Sequence, residues 1–531
     1  MNQDKNTYYV TTPIYYVNGE PHIGHVYSTL IADVMARYNR LLGKDTFFLT
    51  GTDEHATKVV DTAAEQGFTT QQWADKNADA FKATFNRLGM SNDDFIRTSE
   101  DRHKIKVTKY VKQLLDSGDV YLGEYEGWYD AGQEEYVPEN KAKEYDFKSP
   151  VNGKPLVRKT EENYFFKLSK YQGELLKLLE SGEVVNGYEF DVQPAARKNE
   201  IVARIKDGLH DVPMTRTGMT DWGITIPGDE EHTIYVWVDA LFNYLSAVDT
   251  DERAKYWPAD VHIMAKDILW FHAAIWPALM MALEKPLPKV VYAHSFFISE
   301  GQKMSKSLGN FIDLKKIDHY VDTFGLDALR WFLATKGPIG ATDSDFSEAR
   351  FIEAYNSDLA NTFGNCGSRI SNMIGKYFDG KCPEHGPHVP LSEEYNDIAE
   401  QCLGKYKAAM DSLHIEKAAG AALEIVRAID NYIERTAPFK LAKDPEKMPE
   451  VGTILYNCTE ALRVASVLLW PLIPNKVEVF WGRIGFADYG KALADNGIGK
   501  LDQWAMWGHL QPGTEIQKGD PLFMRYQVPR K

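Results

Sequence analysis

Cysteine is scarce in this chain: there are four among 531 residues, Cys366, Cys382, Cys402 and Cys458, widely spaced and with no CxxC pair. Such spacing excludes a disulfide framework and a zinc knuckle, and the thiols are expected to be reduced. Long apolar runs are missing too. The longest, around Ala273–Leu283 and Val464–Ile473, fall short of the about 20 helical residues that cross a bilayer, so no membrane span is expected. The amino terminus, "MNQDKN", lacks the positive-then-apolar layout of a secretory signal, and the expected location is the cytosol. Positive charge is in deficit, with 60 Lys and Arg against 76 Asp and Glu and a formal net charge of −16. A surface of that sign does not bind nucleic acid non-specifically, which leaves only a local basic face for that purpose. Neither an internal repeat nor a low-complexity segment is found.

What is present suits a folded, multi-domain protein. Hydrophobic residues make up 44% and aromatics 12%, and the length is several times the usual domain of roughly 100–200 residues. "TYYVTT" (7–12) reads as a strand, and from Ile23 apolar residues recur at Val26, Leu30, Val34, Tyr38 and Leu41 as in an amphipathic helix. A second strand, "TFFLT" (46–50), runs into the loop "GTDEH" (51–55). This βαβ order predicts an α/β fold with a parallel sheet and functional loops at the carboxyl ends of its strands. Residues 119–229 break into short aromatic and charged pieces rich in Gly and Pro, which predicts an insertion. Sheet-like signals return at "HTIYVWV" (232–238), "VHIMA" (261–265) and "VVYAHSF" (290–296), and the first fold is expected to resume over 230–298. From about Phe351 to Trp481 helical periodicity dominates, which predicts a separate all-α bundle.

Two stretches carry chemistry. In "PIYYVNGEPHIGH" (13–25), a strand enters a helix through a turn, so backbone N–H groups and the positive dipole end point outward, a ready site for phosphate. His22 and His25 would donate from their imidazoles to phosphate oxygens, and Gly24 would let a nucleotide lie against the backbone. Taken alone, two histidines in a turn can equally well only cap a helix. In "GQKMSKSLGN" (301–310), Lys303 and Lys306 sit in a Gly- and Ser-rich loop. Paired mobile cations suit the charge that develops in transfer at an α-phosphate. A lone loop of this kind is more often a solvated charged surface.

"HIGH" after the first strand and "KMSKS" after the last strand of the same sheet, in this order, are the signatures of class I aminoacyl-tRNA synthetases. With "FFLTGTDEH", "EENYFFKLS", "YVWVDAL", "KDILWFH" and "KMSKSLGN", the chain resembles the methionyl-tRNA synthetase family over essentially its whole length. That resemblance implies a Rossmann-type catalytic domain in two halves (1–118 and 230–298) split by a connective insertion (119–229). It further implies a KMSKS and stem-contact region (299–350) and a helical anticodon-binding domain (351–531). It implies the formation of methionyl-adenylate and pyrophosphate from L-methionine and ATP with Mg²⁺, then methionyl transfer to the terminal adenosine of tRNA(Met). Because the methionine carboxylate is already ionised, that first step needs positioning and charge stabilisation rather than a general base. By resemblance His22, Gly24, His25, Lys303, Ser305 and Lys306 bind ATP, and His22, His25, Lys303 and above all Lys306 stabilise the transition state. Methionine would be held by Ile14, Tyr16, Trp237, Ala240, Tyr244, Ile268 and His272, an aromatic and aliphatic cavity suited to a polarizable thioether, with Asp53 on its ammonium. Asn365 and Arg369, four residues apart on one helix face, would read the anticodon with Phe439 as a stacking ring.

The chain departs from the family's pattern at several points. Leu241 stands where many members have proline, and Phe439 stands in "APF" where "APW" is usual. The positions that match a zinc knuckle are Asp130, Gln133, Ser149 and Asn152, so no structural zinc is expected. The appended tRNA-binding, dimer-forming module of some relatives is not found, and a monomer is expected. Residues 119–229 are too few for the editing insertion of the leucine, isoleucine and valine enzymes. A small nucleotidylyltransferase would not need the carboxy-terminal helices, and a catalytically silent paralogue would not need all four of His22, His25, Lys303 and Lys306.

Overall fold

The structure is a computed structural model that describes residues 6–132, 135–137, 139–217, 221–304, 309–386, 392–494 and 501–528. Six strands build the central sheet: β1 (Thr7–Tyr16), β2 (Asp45–Asp53), β3 (Asp94–Arg97), β4 (Asp191–Gln193), β5 (Val261–Ala265) and β6 (Val290–His294). Their order is β3-β2-β1-β5-β6-β4 and each neighbouring pair is parallel. A sheet covered on both faces selects continuous β-branched and aromatic runs, and Tyr8, Tyr9, Val10, Thr11 and Thr12 of β1 are all buried. The strand order reverses between β1 and β5. In an open parallel sheet the crevice outside the carboxyl ends at this switch point is where ligands bind. Helix α1 (Ile23–Leu41) follows β1, and Val26, Leu30, Val34, Tyr38 and Leu41 are buried as their spacing predicts.

Two boundaries differ from the sequence reading. β4 lies within residues 119–229, so the chain returns to the central sheet before the expected insertion ends. Three residues are too short to leave a periodic signature, and only pairing with β6 makes them a strand. "HTIYVWV" is not a strand of the central sheet. Strand pairing stops at Ile234, in a small antiparallel sheet with Thr215–Thr217 and Thr225–Ile226, and a short helix, Val236–Leu241, begins there. Val236, Val238, Asp239, Ala240 and Leu241 are all buried, and burial on every side lets β-branched residues serve in a helix against their local preference. The rest of the insertion combines helices, among them Ala195–Lys206, with an antiparallel sheet in which Val120–Asp130 pairs with Val157–Phe166 and Glu135–Val137, with Val212–Pro213 at the edge.

The carboxy-terminal region is helical. Its main helices are α2 (Leu326–Lys336), α3 (Asn365–Tyr377), α4 (Ser392–Asp411), α5 (Ile415–Thr436) and α6 (Met448–Leu469). Every residue of α6 from Val451 onward is buried, so α6 is the axis of the bundle. One hydrophobic core runs from Leu30, Val34 and Tyr38 of α1 through α2 into α5 and α6. Central sheet and bundle are therefore packed as one body along α1.

Candidate active site

At the switch point the strand ends open into a cavity of about 630 Å³. Eleven of the residues singled out in the sequence line it: Ile14, Tyr16, His22, Gly24, His25, Asp53, Trp237, Ala240, Tyr244, Ile268 and His272. They come from the ends of β1 and β2, the start of α1, the short helices 236–241 and 243–246, and the segment after β5. Separations of up to about 250 residues in sequence are closed by the parallel sheet.

The turn into α1 is locked by its own histidines. The His22 ring accepts from the Gly24 N–H (3.1 Å) and the His25 ring from the His22 N–H (3.2 Å), each through Nδ1. A neutral ring that accepts at Nδ1 carries its proton on Nε2, so each imidazole keeps an Nε2–H donor. The rings stack with centroids 3.8 Å apart. A Cβ at position 24 would lie 3.0 Å from the His22 ring, so glycine is what lets that ring fold over the turn. Burial, and then the neighbouring His22, hold the His25 pKa well below the ordinary imidazole value, so His25 acts as a neutral donor.

On the opposite side, Asp53 is 2% exposed and its Oδ1 has no partner among the described residues. Burial, then Asp239 and Glu54, push its pKa well above the usual carboxylate range. The carboxylate takes the His55 backbone N–H but has no charged partner, and a buried carboxylate of this kind is a site for a cation. Beside it, Trp237 stacks on Phe271 (4.1 Å) and meets Tyr16 edge-on. His272 Nδ1 donates to the Ile268 carbonyl (2.9 Å), so its Nε2 accepts the Tyr244 hydroxyl proton (2.7 Å). Burial lowers the His272 pKa to about 4, which keeps this wall uncharged.

Lys303 is not part of the lining. It is exposed, on the two-residue strand Gln302–Lys303 that pairs with Phe297–Ser299. Ser305 and Lys306 lie outside the described residues. The far end of that loop is tied to the histidine turn: Ile23 N–H donates to the Ile312 carbonyl (3.1 Å), His22 bridges to Asp313, and Phe311 meets the His22 ring edge-on. The lysine loop therefore springs from the cavity rim at both ends, since Phe296, Phe297 and Phe311 all line it.

The family model for class I tRNA synthetases (M) matches residues 8–371. Methionine–tRNA ligase of Bacillus subtilis is 40% identical over 99% of this chain and 79% of its own length. That of Brucella suis is 40% identical over 99% of both chains. The Mycobacterium tuberculosis methionyl-tRNA synthetase, solved in complex with methionyl-adenylate, superposes with a TM-score of 0.87 at 33% identity, over 97% of this chain and 99% of that one. The chain belongs to the methionyl-tRNA synthetase family.

Three of the four knuckle positions are described, and each closes its own turn. Asp130 Oδ1 accepts from Gly132 N–H, Ser149 Oγ from Val151 and Asn152 N–H, and Asn152 Oδ1 from Lys154 N–H. Gln133 lies outside the described residues. These three oxygens are committed to backbone N–H groups, Asp130 Oδ2 is buried without a partner among the described residues, and Trp128 against Phe147, with Val137, Ala142 and Leu156 behind, packs the loops. In the bundle, Asn365 is exposed at the start of α3, Arg369 reaches Asp430 of α5 (3.4 Å), and Phe439 is 42% exposed just past the end of α5.

Several lining residues escaped the sequence reading. Ser28 Oγ pairs with His294 Nε2 (2.7 Å) across the cavity floor, and Lys58, Asp267 and Phe311 reach the lining from loops or helix starts. Ser28 lies four residues after Gly24 on the same helix face, a spacing that was available in the sequence. His294 carried no signal, because its strand end faces the cavity only once β6 is placed beside β5.

Proposed function

We infer that the protein is a methionine–tRNA ligase: it activates L-methionine with ATP to methionyl-adenylate and pyrophosphate, and passes the methionyl group to the terminal adenosine of tRNA(Met). The observation that supports this best is the pairing, in one cavity, of a histidine turn that presents Nε2–H donors with a buried carboxylate that lacks a counter-charge, beside an aromatic pocket. Asp53 takes the methionine ammonium, which returns its carboxylate to the ionised form by supplying the missing counter-charge. Tyr16, Trp237, Ala240, Tyr244, Ile268, His272 and Ile14 enclose the thioether. Leu241, on the lining at the place where many relatives have proline, shapes the rim.

A methionine carboxylate oxygen attacks the α-phosphorus of ATP. The bond from that phosphorus to the oxygen bridging to the β-phosphate breaks, and pyrophosphate leaves with its electron pair. No proton moves in this step. His22 and His25 meet the phosphate oxygens with their Nε2–H donors over the α1 amino terminus and Gly24. Lys303, Ser305 and Lys306 close over the triphosphate and its Mg²⁺, Lys306 at the charge that grows in the transition state. The adenosine hydroxyl of tRNA then attacks the methionyl carbonyl, AMP departs, and the hydroxyl proton leaves to a phosphate oxygen. Asn365, Arg369 and Phe439 read the anticodon. All these groups come from one chain, which acts as a monomer in the cytosol.

The test is ATP–pyrophosphate exchange with methionine, leucine, isoleucine, valine and cysteine offered separately. Exchange with methionine alone is expected. Exchange with none of them, with tRNA binding retained, would make the chain a silent tRNA-binding paralogue.

A further inference from the structure

Behind the cavity lies a second set of titratable groups for which the mechanism above has no use. Asp239 is 1% exposed and accepts two imidazole donors, His55 Nδ1 at 2.7 Å and His103 Nε2 at 2.8 Å. His103 continues through Nδ1 to Ser246 Oγ (2.7 Å). The two rings are buried as well. Asp239 thus joins three separate segments: the loop after β2, the helix 236–241 and the helix Asp101–Asp116.

The connection touches both walls of the amino-acid site. His55 is two residues beyond Asp53, and Asp239 lies between Trp237 and Ala240, both on the lining. Glu54, between Asp53 and His55, is clamped in turn. Arg97 donates to it twice (2.7 and 3.1 Å), and the Trp222 indole N–H donates to its carbonyl (2.6 Å). Asp53 is therefore a carboxylate without a charged partner, which takes only the His55 backbone N–H, on a strand end whose next two residues are held by charged hydrogen bonds. Of the three acids packed here, Glu54 has a guanidinium and Asp239 two imidazoles, while Asp53 has no such partner. The charge of Asp239 also adds to the field at Asp53 and favours a cation there.

We propose that the His55–Asp239–His103 bridge is a positioning device for amino-acid recognition: it sets the distance between the ammonium site at Asp53 and the side-chain wall at Trp237 and Ala240. None of the three touches substrate. The proposal rests on the reading of this cavity as the methionine site. It makes the bridge selective: methionine must span both walls, whereas ATP seats on the α1 turn, which the bridge does not touch.

The experiment measures KM for methionine and for ATP in pyrophosphate exchange, and direct methionine binding by tryptophan fluorescence, for wild type, H55L, H55N and D239N. In H55L and D239N the KM for methionine is expected to rise at least ten-fold while that for ATP stays within two-fold. In H55N the amide nitrogen takes the place of Nδ1, and recovery to within about three-fold of wild type is expected. Methioninol, which keeps the ammonium and side chain and lacks the carboxylate, should lose affinity in parallel with methionine. Equal rises in both KM values, or an H55N as impaired as H55L, would overturn the proposal in favour of a purely structural role, and unchanged kinetics would overturn it outright. D239N, nearly isosteric, decides the matter if H55L does not fold. Failure of the wild type to bind methionine would instead overturn the functional reading itself.

Discussion

The imidazoles around the cavity are kept neutral, and their tautomers follow from what each nitrogen touches. His22 and His25 accept through Nδ1 and so present Nε2–H, whereas His272 and His294 give Nδ1–H to backbone carbonyls and accept at Nε2. The first pair offers Nε2–H donors on the cavity lining, and the second pair organises Tyr244 and Ser28. Neutrality has a measurable consequence. Burial lowers His272 and His294 from 6.5 to about 4 each. Between those pH values the unfolded chain binds protons that the folded chain does not, so stability falls as pH drops through that window. The loss is roughly 3 kcal/mol for each residue by pH 4. His294→Asn keeps an amide donor for the Ser295 carbonyl and removes the titrating ring. The variant should lose less thermal stability than wild type between pH 6.5 and 4, measured as the change in Tm. An unchanged pH slope would mean that His294 titrates normally in the fold.

At the scale of elements, the helix 236–241 shows how a local signal can mislead. "YVWV" is strand-like by composition, yet Tyr235 caps a helix whose turns put Trp237 and Ala240 on the cavity and Asp239 behind it. A strand would have alternated Trp237 and Val238 between opposite faces and brought Asp239 round to the side of Trp237. The end of α5 is a second case. Ala437 takes a left-handed conformation (φ 47°, ψ 54°) that stops the helix, and Pro438 starts a new turn with Phe439 exposed. A large ring held out on so short a turn suits the stacking on a base proposed for it, a contact of about 1–3 kcal/mol. Phe439→Ala should therefore lower kcat/KM for tRNA charging by ten-fold or more and leave methionine-dependent pyrophosphate exchange within two-fold. Equal damage to both would move Phe439 from tRNA recognition to structure.

Across the whole molecule, catalytic sheet and bundle are joined by a buried ionic knot. Arg330 of α2 donates to Asp33 of α1 (2.6 Å) and to the carbonyls of Pro471 and Leu472, just past α6. Asp33 also takes Arg37 and Ser91, and its pKa is held far below the usual range by the two guanidiniums against the cost of burial. Both Arg330 and Asp33 are essentially inaccessible. Arg330→Met removes three donor contacts and leaves Asp33 with Arg37 and Ser91 alone, a change expected to cost about 3–5 kcal/mol. Tm should fall by several degrees. Because α1 carries His25 and is capped by His22, pyrophosphate exchange should fall with it, and an Asp33→Asn, Arg330→Met double variant should recover part of the lost stability. No change in Tm would show that the knot is dispensable to the junction.

The sequence by itself determined the chemistry and its order along the chain: the histidine turn after the first strand, the lysine loop after the last, and the helical region beyond. These rest on local rules of spacing, periodicity and turn composition, which a linear string retains. Tertiary structure alone decided which strand ends meet, because β1 and β5 pair across some 250 residues and nothing local encodes that pairing. It likewise decided that residues 191–193 finish the sheet, that Trp237 sits on a helix, and that Asp53 is left without a counter-charge. Each of these depends on burial and long-range contact, which override local preference when several elements close on one space.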